Sequence, residues 1–227
     1  MAPFGASRAG LMSTRVDAIP DSEALYAHFD AMEIDASDQD SLSSWDDLAE
    51  GNNASATGSP TFEESGFNSK PSVLFDGVDD AFQSSTFSSI EHPYTVFHVI
   101  ELDSGASPDN TIFSGREEGD GGLNETYWRG NWAVFSGDRL DGSSSDDVNL
   151  ITSVYDENNS IIREDGSESG SGDAGSRSWD QHTIGRSGSG NDRFWDGRIM
   201  ELLLYPDRRS ASEIDEVETY LTDKWDL

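Results

Sequence analysis

Two segments of the chain combine tryptophan with polar side chains in the way that sugar-binding sites do. An indole ring covers the apolar face of a sugar while charged neighbours bond its hydroxyl groups, and small-molecule sites generally combine apolar walls with a few polar groups. Both segments lie in or beside predicted loops. The candidate ligand-binding residues are Trp128, Arg129, Trp132, Trp179 and Asp180. The alternative is that these rings belong to the core, as we expect for Trp195.

Three aspartates that follow a predicted strand could bind calcium. Asp76, Asp79 and Asp80 are close in sequence, and carboxylate oxygens are ligands that Ca²⁺ prefers. No spaced ligand loop of the EF-hand kind surrounds them, and 45 acidic residues make chance clusters common. We expect the three to form a turn, with a structural Ca²⁺ as the alternative. No other cofactor is expected.

Other motifs of catalysis and metal binding are missing from the sequence. It contains no P-loop, no dinucleotide fingerprint and no Gly-x-Ser-x-Gly elbow. It contains no cysteine, which excludes thiol catalysis and thiolate metal sites. The histidines lack metal-ligand spacing; they are His28, His92, His98 and His182. We expect His98, within a predicted strand, to be a packed residue.

The charge balance is strongly acidic. Lysine and arginine total 14 against 45 aspartates and glutamates, so the formal net charge is -31, and lysine occurs only at Lys70 and Lys224. At ordinary ionic strength such a surface repels itself and opposes the compact state. Molar salt shortens the screening length to about 3 Å and removes most of that repulsion. This composition resembles that of proteins from halophilic archaea that accumulate salt.

The same balance excludes two classes of partner. A nucleic-acid backbone needs a basic stripe, and an anionic membrane surface attracts basic segments, so we expect neither partner. No apolar run approaches the ~18 residues of a membrane-spanning helix. Residues 1–20 have no continuous apolar segment of the signal-peptide kind, which predicts that the protein is not exported by a cleaved signal.

The pattern of elements predicts an all-β domain over residues 23–227, preceded by an arm at 1–22 that we expect to contact a neighbouring subunit or its own domain. The predicted strands are 23–31, 72–75, 95–102, 111–114, 132–136, 150–155, 160–164 and 198–205. Residues 166–178 and 187–192 are predicted loops. Ser210 and Glu213 form a capping-box pattern before a helical apolar stripe, which predicts one C-terminal helix.

Two stretches resemble laminin-G-like, concanavalin A-like modules. One is 45–48 with 70–77, which includes Lys-Pro-Ser-Val-Leu-Phe-Asp-Gly; the other is the tail 183–185, 194–205 and 212–225, which includes Phe-Trp-Asp-Gly-Arg-Ile-Met-Glu-Leu. The resemblance covers about residues 23–225. It implies a jelly-roll sandwich of two antiparallel sheets that binds carbohydrate or protein. Such modules are common in phage and archaeal virus structural proteins and in secreted proteins.

The segment 213–218 also resembles the Glu-x-Asp-x-x-Glu signature of family-16 glycoside hydrolases. In those enzymes the acids project from one face of a strand and flank the sugar bond. Here the capping box and the apolar stripe predict a helix, on which Glu213 and Asp215 lie about 200° apart. We therefore interpret the segment as a solvated acidic helix face and expect no catalytic residue.

Together these features predict a non-catalytic surface protein of a haloarchaeal virus particle: a capsid turret, decoration or tail-fibre subunit. It would be assembled in the host cytoplasm, form a homo-oligomer beside neighbouring virion proteins, and contact a host-surface glycan or glycoprotein without inserting into the membrane. The alternative is a cellular or secreted carbohydrate-binding module of a halophilic archaeon. A family-16-like hydrolase comes third.

Overall fold

The protein folds as an all-β jelly-roll sandwich of two antiparallel sheets with a C-terminal helix. The computed structural model describes residues 18–115, 123–188 and 193–227, and it describes the backbone alone for 123–128. Within these ranges each sheet has eight strands. The fold class predicted from the strand pattern is confirmed.

The first sheet contains the long central strands. Its members are β1 (Ala27–Asp30), β4 (Thr61–Phe67), β5 (Lys70–Asp76), β7 (Tyr94–Leu102), β12 (Leu150–Tyr155), β13 (Ser160–Glu164), β14 (Ser167–Gly172) and β16 (Asp196–Tyr205). Their order is β14-β13-β12-β7-β16-β5-β4, and β1 also pairs with β16. The predicted hairpin of β12 and β13 is present as an antiparallel pair.

The second sheet is built from shorter strands. These are β2 (Ser44–Trp45), β3 (Ala54–Thr57), β6 (Ala81–Ser84), β8 (Asp109–Gly115), β9 (Leu123–Trp128), β10 (Asn131–Phe135), β11 (Arg139–Asp141) and β15 (Thr183–Ile184). Their order is β11-β10-β9-β8-β15-β6-β3-β2. Aromatic rings from the two sheets meet between them, as where Phe75 lies 5.9 Å from Phe82.

Strand β16 is central, as its apolar sequence predicted. It pairs with β7, β5 and β1, and every residue from 199 to 205 is buried. One face of β16 points to the second sheet, and the other points to the C-terminal helix. Glu201 lies on the helix side, where its carboxylate accepts a hydrogen bond from Trp225 Nε1 at 2.7 Å.

Helix α1 (Ala211–Trp225) covers the outer face of the first sheet against β7 and β12. The predicted capping box is formed: Ser210 accepts from the Glu213 amide, and the Glu213 carboxylate accepts from the Ser210 amide. The buried stripe of α1 includes Ile214, Val217 and Leu221. No helix in the described part of the chain is long and apolar enough to cross a bilayer.

Two of the predicted boundaries are wrong. The first strand spans only Ala27–Asp30, because short 3-10 turns occupy Ser22–Ala24 and Ala31–Glu33. Residues 166–178 are not one long loop, since β14 pairs with β13 at the sheet edge. Its Ser-Glu-Ser-Gly-Ser-Gly sequence has no buried residue, and an edge strand with little packing leaves no hydrophobic signature.

The arm residues that the structure describes, 18–22, lie on the sandwich itself. Tyr205 donates its hydroxyl hydrogen to the Pro20 carbonyl at 2.7 Å, and Asp21 pairs with Arg209 at the same distance. Ile19 packs against the core. The remaining part of the predicted arm, 1–17, lies outside the described residues, as does 189–192 of the second predicted loop.

Candidate functional site

A cleft of about 720 Å³ opens at one end of the sandwich. Segments far apart in sequence meet there: 101–106 at the end of β7 and beyond it, Gly130 in the β9–β10 turn, 146–149 before β12, the β4–β5 turn and the two residues that follow α1. We call this feature the end cleft. It exceeds a second groove of about 460 Å³ beside β2, and its volume lies in the range of small-molecule sites.

The loop between β11 and β12 is held in place by side chains that lie outside it. Trp132 donates its indole N–H to the Ser145 carbonyl at 2.6 Å. The Ser143 amide donates to Glu164 at 2.8 Å, and the Asn149 amide donates to Asp165 at 3.1 Å. Anchored at both ends and in the middle, this loop presents Asp146 and Asp147 to the cleft.

The opposite wall is positioned by Arg198 of β16. Its guanidinium binds Glu63 at 2.7 Å, Glu101 at 2.8 Å and Asp103 at 3.2 Å. Burial alone would lower the pKa of Arg198, but its hydrogen bonds to Glu63 and Glu101 raise it. The Asp103 amide also donates to the Asp196 carbonyl at 3.0 Å, which ties the wall to the central strand.

The end cleft is rich in hydrogen-bond acceptors above an apolar base. Its carboxylates belong to Glu101, Asp103, Asp146, Asp147 and Asp226. Phe67 and Val148 line it as buried apolar residues. Carboxylates that face solvent in this way can accept hydrogen bonds from the hydroxyl groups of a ligand whose carbon face rests on the base.

The predicted binding residues divide between two regions. Arg129 is exposed in the turn whose next residue, Gly130, lines the end cleft, and its amide donates to Asp109 at 3.2 Å. Trp132 is 1% exposed and supports the cleft loop from behind. The Trp128 side chain lies outside the described residues. The prediction that the Trp132 ring stacks on a ligand is therefore wrong, because the core covers the face of the ring.

Trp179 and Asp180 lie elsewhere, on a segment that runs along the second sheet. The Trp179 ring is fully buried 4.3 Å from Phe113, and its backbone pairs with Ile90. The prediction of Trp179 as a stacking surface is corrected for the same reason as that of Trp132. Asp180 is half-buried, and its carbonyl accepts from the Phe87 amide. Neither residue lines the end cleft.

The acidic turn after β5 forms as predicted and could also hold a metal ion. Asp76 accepts from the Val78 and Asp79 amides, and Asp80 accepts from the Ser59 amide at 2.6 Å. Carboxylate oxygens of Asp76, Asp79 and Asp80 lie within 4.8 Å of one another. Burial raises the pKa of Asp80, the Ser59 amide opposes that shift, and the charges of Asp76 and Asp79 add to it.

The acids of the glycosidase-like segment lie on α1 and not on a strand. Glu213 caps the helix, and Glu218 is buried against the first sheet. The Glu218 carboxylate accepts from Thr152 at 2.7 Å and from Arg163 at 2.9 Å. These contacts give Glu213 and Glu218 structural roles at two different places on the helix.

A buried charge cluster connects β1, β16 and α1. Lys224 contacts Asp30 at 2.5 Å and Glu201 at 2.7 Å, and His28 contacts Glu201 at 3.0 Å. Burial alone would lower the pKa of Lys224, but the two carboxylates raise it. His28, Asp30 and Glu201 also have the spacing of a metal site, yet the lysine ammonium already supplies a cation between the two acids. Sequence reasoning missed this cluster, whose one signal was a lone glutamate in the most apolar strand.

Solved structures of low sequence identity share this fold. A sialidase of Trypanosoma rangeli in complex with sialic acid matches at 15% identity and a TM-score of 0.63, over 92% of this chain and 34% of that one. Domain 4 of AbnA, an extracellular arabinanase from Geobacillus stearothermophilus, matches in complex with arabinotriose at 14% identity and a TM-score of 0.54. That match covers 86% of this chain and 98% of the domain. The binding domain of Paraclostridial Mosquitocidal Protein 1 matches at 11% identity and a TM-score of 0.61, over 89% and 53%.

These likenesses establish the fold alone. The chain spans about a third of the length of the sialidase chains that it matches. No protein-family model matches the sequence, and no curated protein matches it. The likenesses agree with the β-sandwich architecture that the resemblance implied.

Proposed function

We propose that this chain is a non-catalytic carbohydrate-binding β-sandwich module whose ligand occupies the end cleft. The observation that carries the proposal is the cleft itself: an acceptor-rich concavity of about 720 Å³ over an apolar base, on loops fixed by Trp132 and Arg198. A rigid shell of this kind keeps binding groups in place before the ligand arrives.

The fold of the neighbours supports the same proposal. The arabinanase domain, which was solved with arabinotriose, matches over 98% of its own length and over 86% of this chain. Arg129, exposed beside the end cleft, is the predicted binding residue that this proposal retains as a rim contact. A non-catalytic role agrees with the structural engagement of Glu213 and Glu218.

The test is a glycan array read in molar KCl, followed by calorimetry on the tightest ligand. Ala106 lines the end cleft, and Ala36 lines the separate groove beside β2. We expect Ala106→Leu to weaken binding by about tenfold or more, because the larger side chain takes up space in the cleft that the ligand would fill. The matched Ala36→Leu should leave affinity within about twofold. Equal affinity for the parent and Ala106→Leu would place the ligand elsewhere.

We propose that the module acts on the surface of a haloarchaeal virus particle, as a turret, decoration or tail-fibre subunit that contacts host-surface glycans. The acidic, lysine-poor composition supports a molar-salt setting. The rival is a cellular or secreted carbohydrate-binding module of a halophilic archaeon. Mass spectrometry of purified particles and immunogold labelling separate the two: label on intact virions supports the first, and label on uninfected cells supports the second.

We also propose that residues 1–17 contact a second copy in a homo-oligomer. Residues 18–22 are bound to the sandwich through Tyr205 and Arg209, so a deletion of 2–17 spares those contacts. The shortened protein should stay folded by circular dichroism and lose its oligomeric state by light scattering in molar salt. An unchanged molar mass of the particle in solution would count against the proposal that residues 1–17 hold the oligomer together.

A structural Ca²⁺ at the turn of Asp76, Asp79 and Asp80 is the third proposal. The crowded carboxylates support it, because a cation would relieve their mutual repulsion. Burial, which raises the pKa of Asp80, makes a nearby cation more favourable still. Asp79→Asn removes one ligand whose side chain makes no hydrogen bond within the turn. Calcium should raise the melting temperature of the parent protein and not that of Asp79→Asn. An equal response of both proteins would argue against the site.

A further inference from the structure

We propose that the end cleft selects saccharides that are rich in hydrogen-bond donors, either uncharged or bearing a protonated amine, and rejects saccharides that bear a carboxylate. This inference rests on the proposed function and names the ligand class of the same site.

The charges that line the end cleft are all of one sign. Five of the described lining residues are acidic, and no lysine, arginine or histidine is among the described lining residues. Carboxylates only accept hydrogen bonds, whereas hydroxyl groups can donate and ammonium groups donate three times over. The lining therefore complements a donor-rich ligand.

Arg198 and Lys70, the bases that contact acids of the lining, are already engaged. Arg198 is shared by Glu63, Glu101 and Asp103, and Lys70 binds Asp226 at 2.5 Å. Arg129 is exposed in the turn beside the end cleft and is not part of its lining. An anionic ligand would have to compete with these carboxylates for the guanidinium and ammonium groups.

Asp146 and Asp147 are the acids of the end cleft that make no ion pair within the described ranges. Both are exposed on the loop that Trp132 anchors. A ligand carboxylate brought against them would pair acceptor with acceptor and leave both without a donor, which disfavours binding. Molar salt screens charge beyond about 3 Å, but it does not supply the missing hydrogen bonds at contact. Selectivity should therefore persist in molar KCl.

The experiment compares oligosaccharides of one backbone that differ only in charge. The backbone is the neutral one that binds best on the array, and its amino and uronic-acid counterparts are measured by calorimetry in molar KCl at about pH 6, where the amine is protonated. We expect the amino form to bind at least as tightly as the neutral form. We expect the affinity of the uronic-acid form to be lower than that of the neutral form by about tenfold or more. A uronic-acid form within about twofold of the neutral form overturns the selectivity and leaves the proposed function intact. If no saccharide of any charge binds, the proposed function falls, and this inference falls with it.

Two double variants separate the end cleft from net charge. Asp146→Asn with Asp147→Asn should raise the affinity ratio of the uronic-acid form to the neutral form about fivefold or more, since each amide now offers donors. Asp35→Asn with Asp138→Asn makes the same charge change at exposed positions outside the end cleft and should leave that ratio unchanged. An equal shift in both double variants would mean that overall charge, and not the end cleft, sets the preference, which also overturns the inference.

Discussion

At the scale of single residues, burial decided which side chains are available for chemistry. Trp132 and Trp179 combine with polar neighbours in the sequence, and the sheets cover both rings. Their orientation depends on which strand faces the opposite sheet, and a single sequence contains no signal for that. His98 was predicted to be packed because it lies within a strand of apolar neighbours. The prediction is confirmed, since its ring is fully buried.

A second buried histidine predicts a pH dependence of stability. His182 lies among Phe29, Phe87 and Phe113, and burial lowers its pKa to about 4, although Asp47 opposes that shift. The folded pKa lies below the unfolded value of about 6.5, so the unfolded chain binds the proton more readily. The stability that the protein gains from keeping His182 neutral is fully present above about pH 6.5. It declines as the pH falls toward about 4, because protonation of this ring favours the unfolded chain.

We therefore expect His182→Phe to reduce the pH dependence of the free energy of unfolding between about pH 6 and 4.5, by up to about 1.4 kcal/mol per pH unit. Urea denaturation in molar KCl at several pH values measures this slope. Burial lowers the pKa of His98 to about 3, so part of the dependence should remain in the variant. An unchanged slope would mean that the His182 ring takes up its proton in the folded protein.

At the scale of elements, strong local patterns were sufficient to predict α1 and the central strand. Features that depend on tertiary contacts could not be predicted from the sequence. The capping box of Ser210 and Glu213 placed α1, and the apolar run of β16 placed the central strand. The weakly patterned β14 was missed because its pairing to β13 does not depend on buried side chains. The end cleft was missed because 101–106, 130 and 146–149 meet only in the folded protein.

The attachment of α1 gives a prediction that uses the two lysines of the chain. Lys224 is buried between Asp30 and Glu201, whereas Lys70 pairs with a largely exposed Asp226. Removing one partner of a buried ion pair leaves uncompensated charge, so Lys224→Met should cost about 3–5 kcal/mol of unfolding free energy. Lys70→Met should cost less than about 1 kcal/mol, the usual worth of a surface pair.

Urea denaturation of both variants in molar KCl measures these costs. Equal, small losses would show that the carboxylates of Asp30 and Glu201 need no cation. Circular dichroism of Lys224→Met adds a second readout, because detachment of α1 should lower the helical signal before the sheets unfold.

At the scale of the whole molecule, the excess of negative charge dominates. Some arginines within the described ranges each contact several acids, as the buried Arg209 contacts Asp21, Asp207 and Glu213. With 14 bases against 45 acids, most carboxylates remain uncompensated. We therefore expect the compact state to depend on screening by salt.

The melting temperature should rise steeply from low salt to molar KCl. Differential scanning calorimetry at several KCl concentrations measures it, and sucrose at matched osmolality controls for general solute effects. A flat profile would contradict the halophilic interpretation of the composition.

The central claim is that a saccharide binds in the end cleft, and chemical-shift mapping by NMR tests it most directly. The protein, isotope-labelled and in molar KCl, is titrated with the best neutral oligosaccharide from the array. The account predicts that the perturbed amides cluster at 101–106, 130 and 146–149 and that Gln83 and Thr183, where β6 pairs with β15 in the second sheet, are unaffected. Perturbation centred on that strand pair, or no perturbation by any saccharide that the array retains, would contradict it.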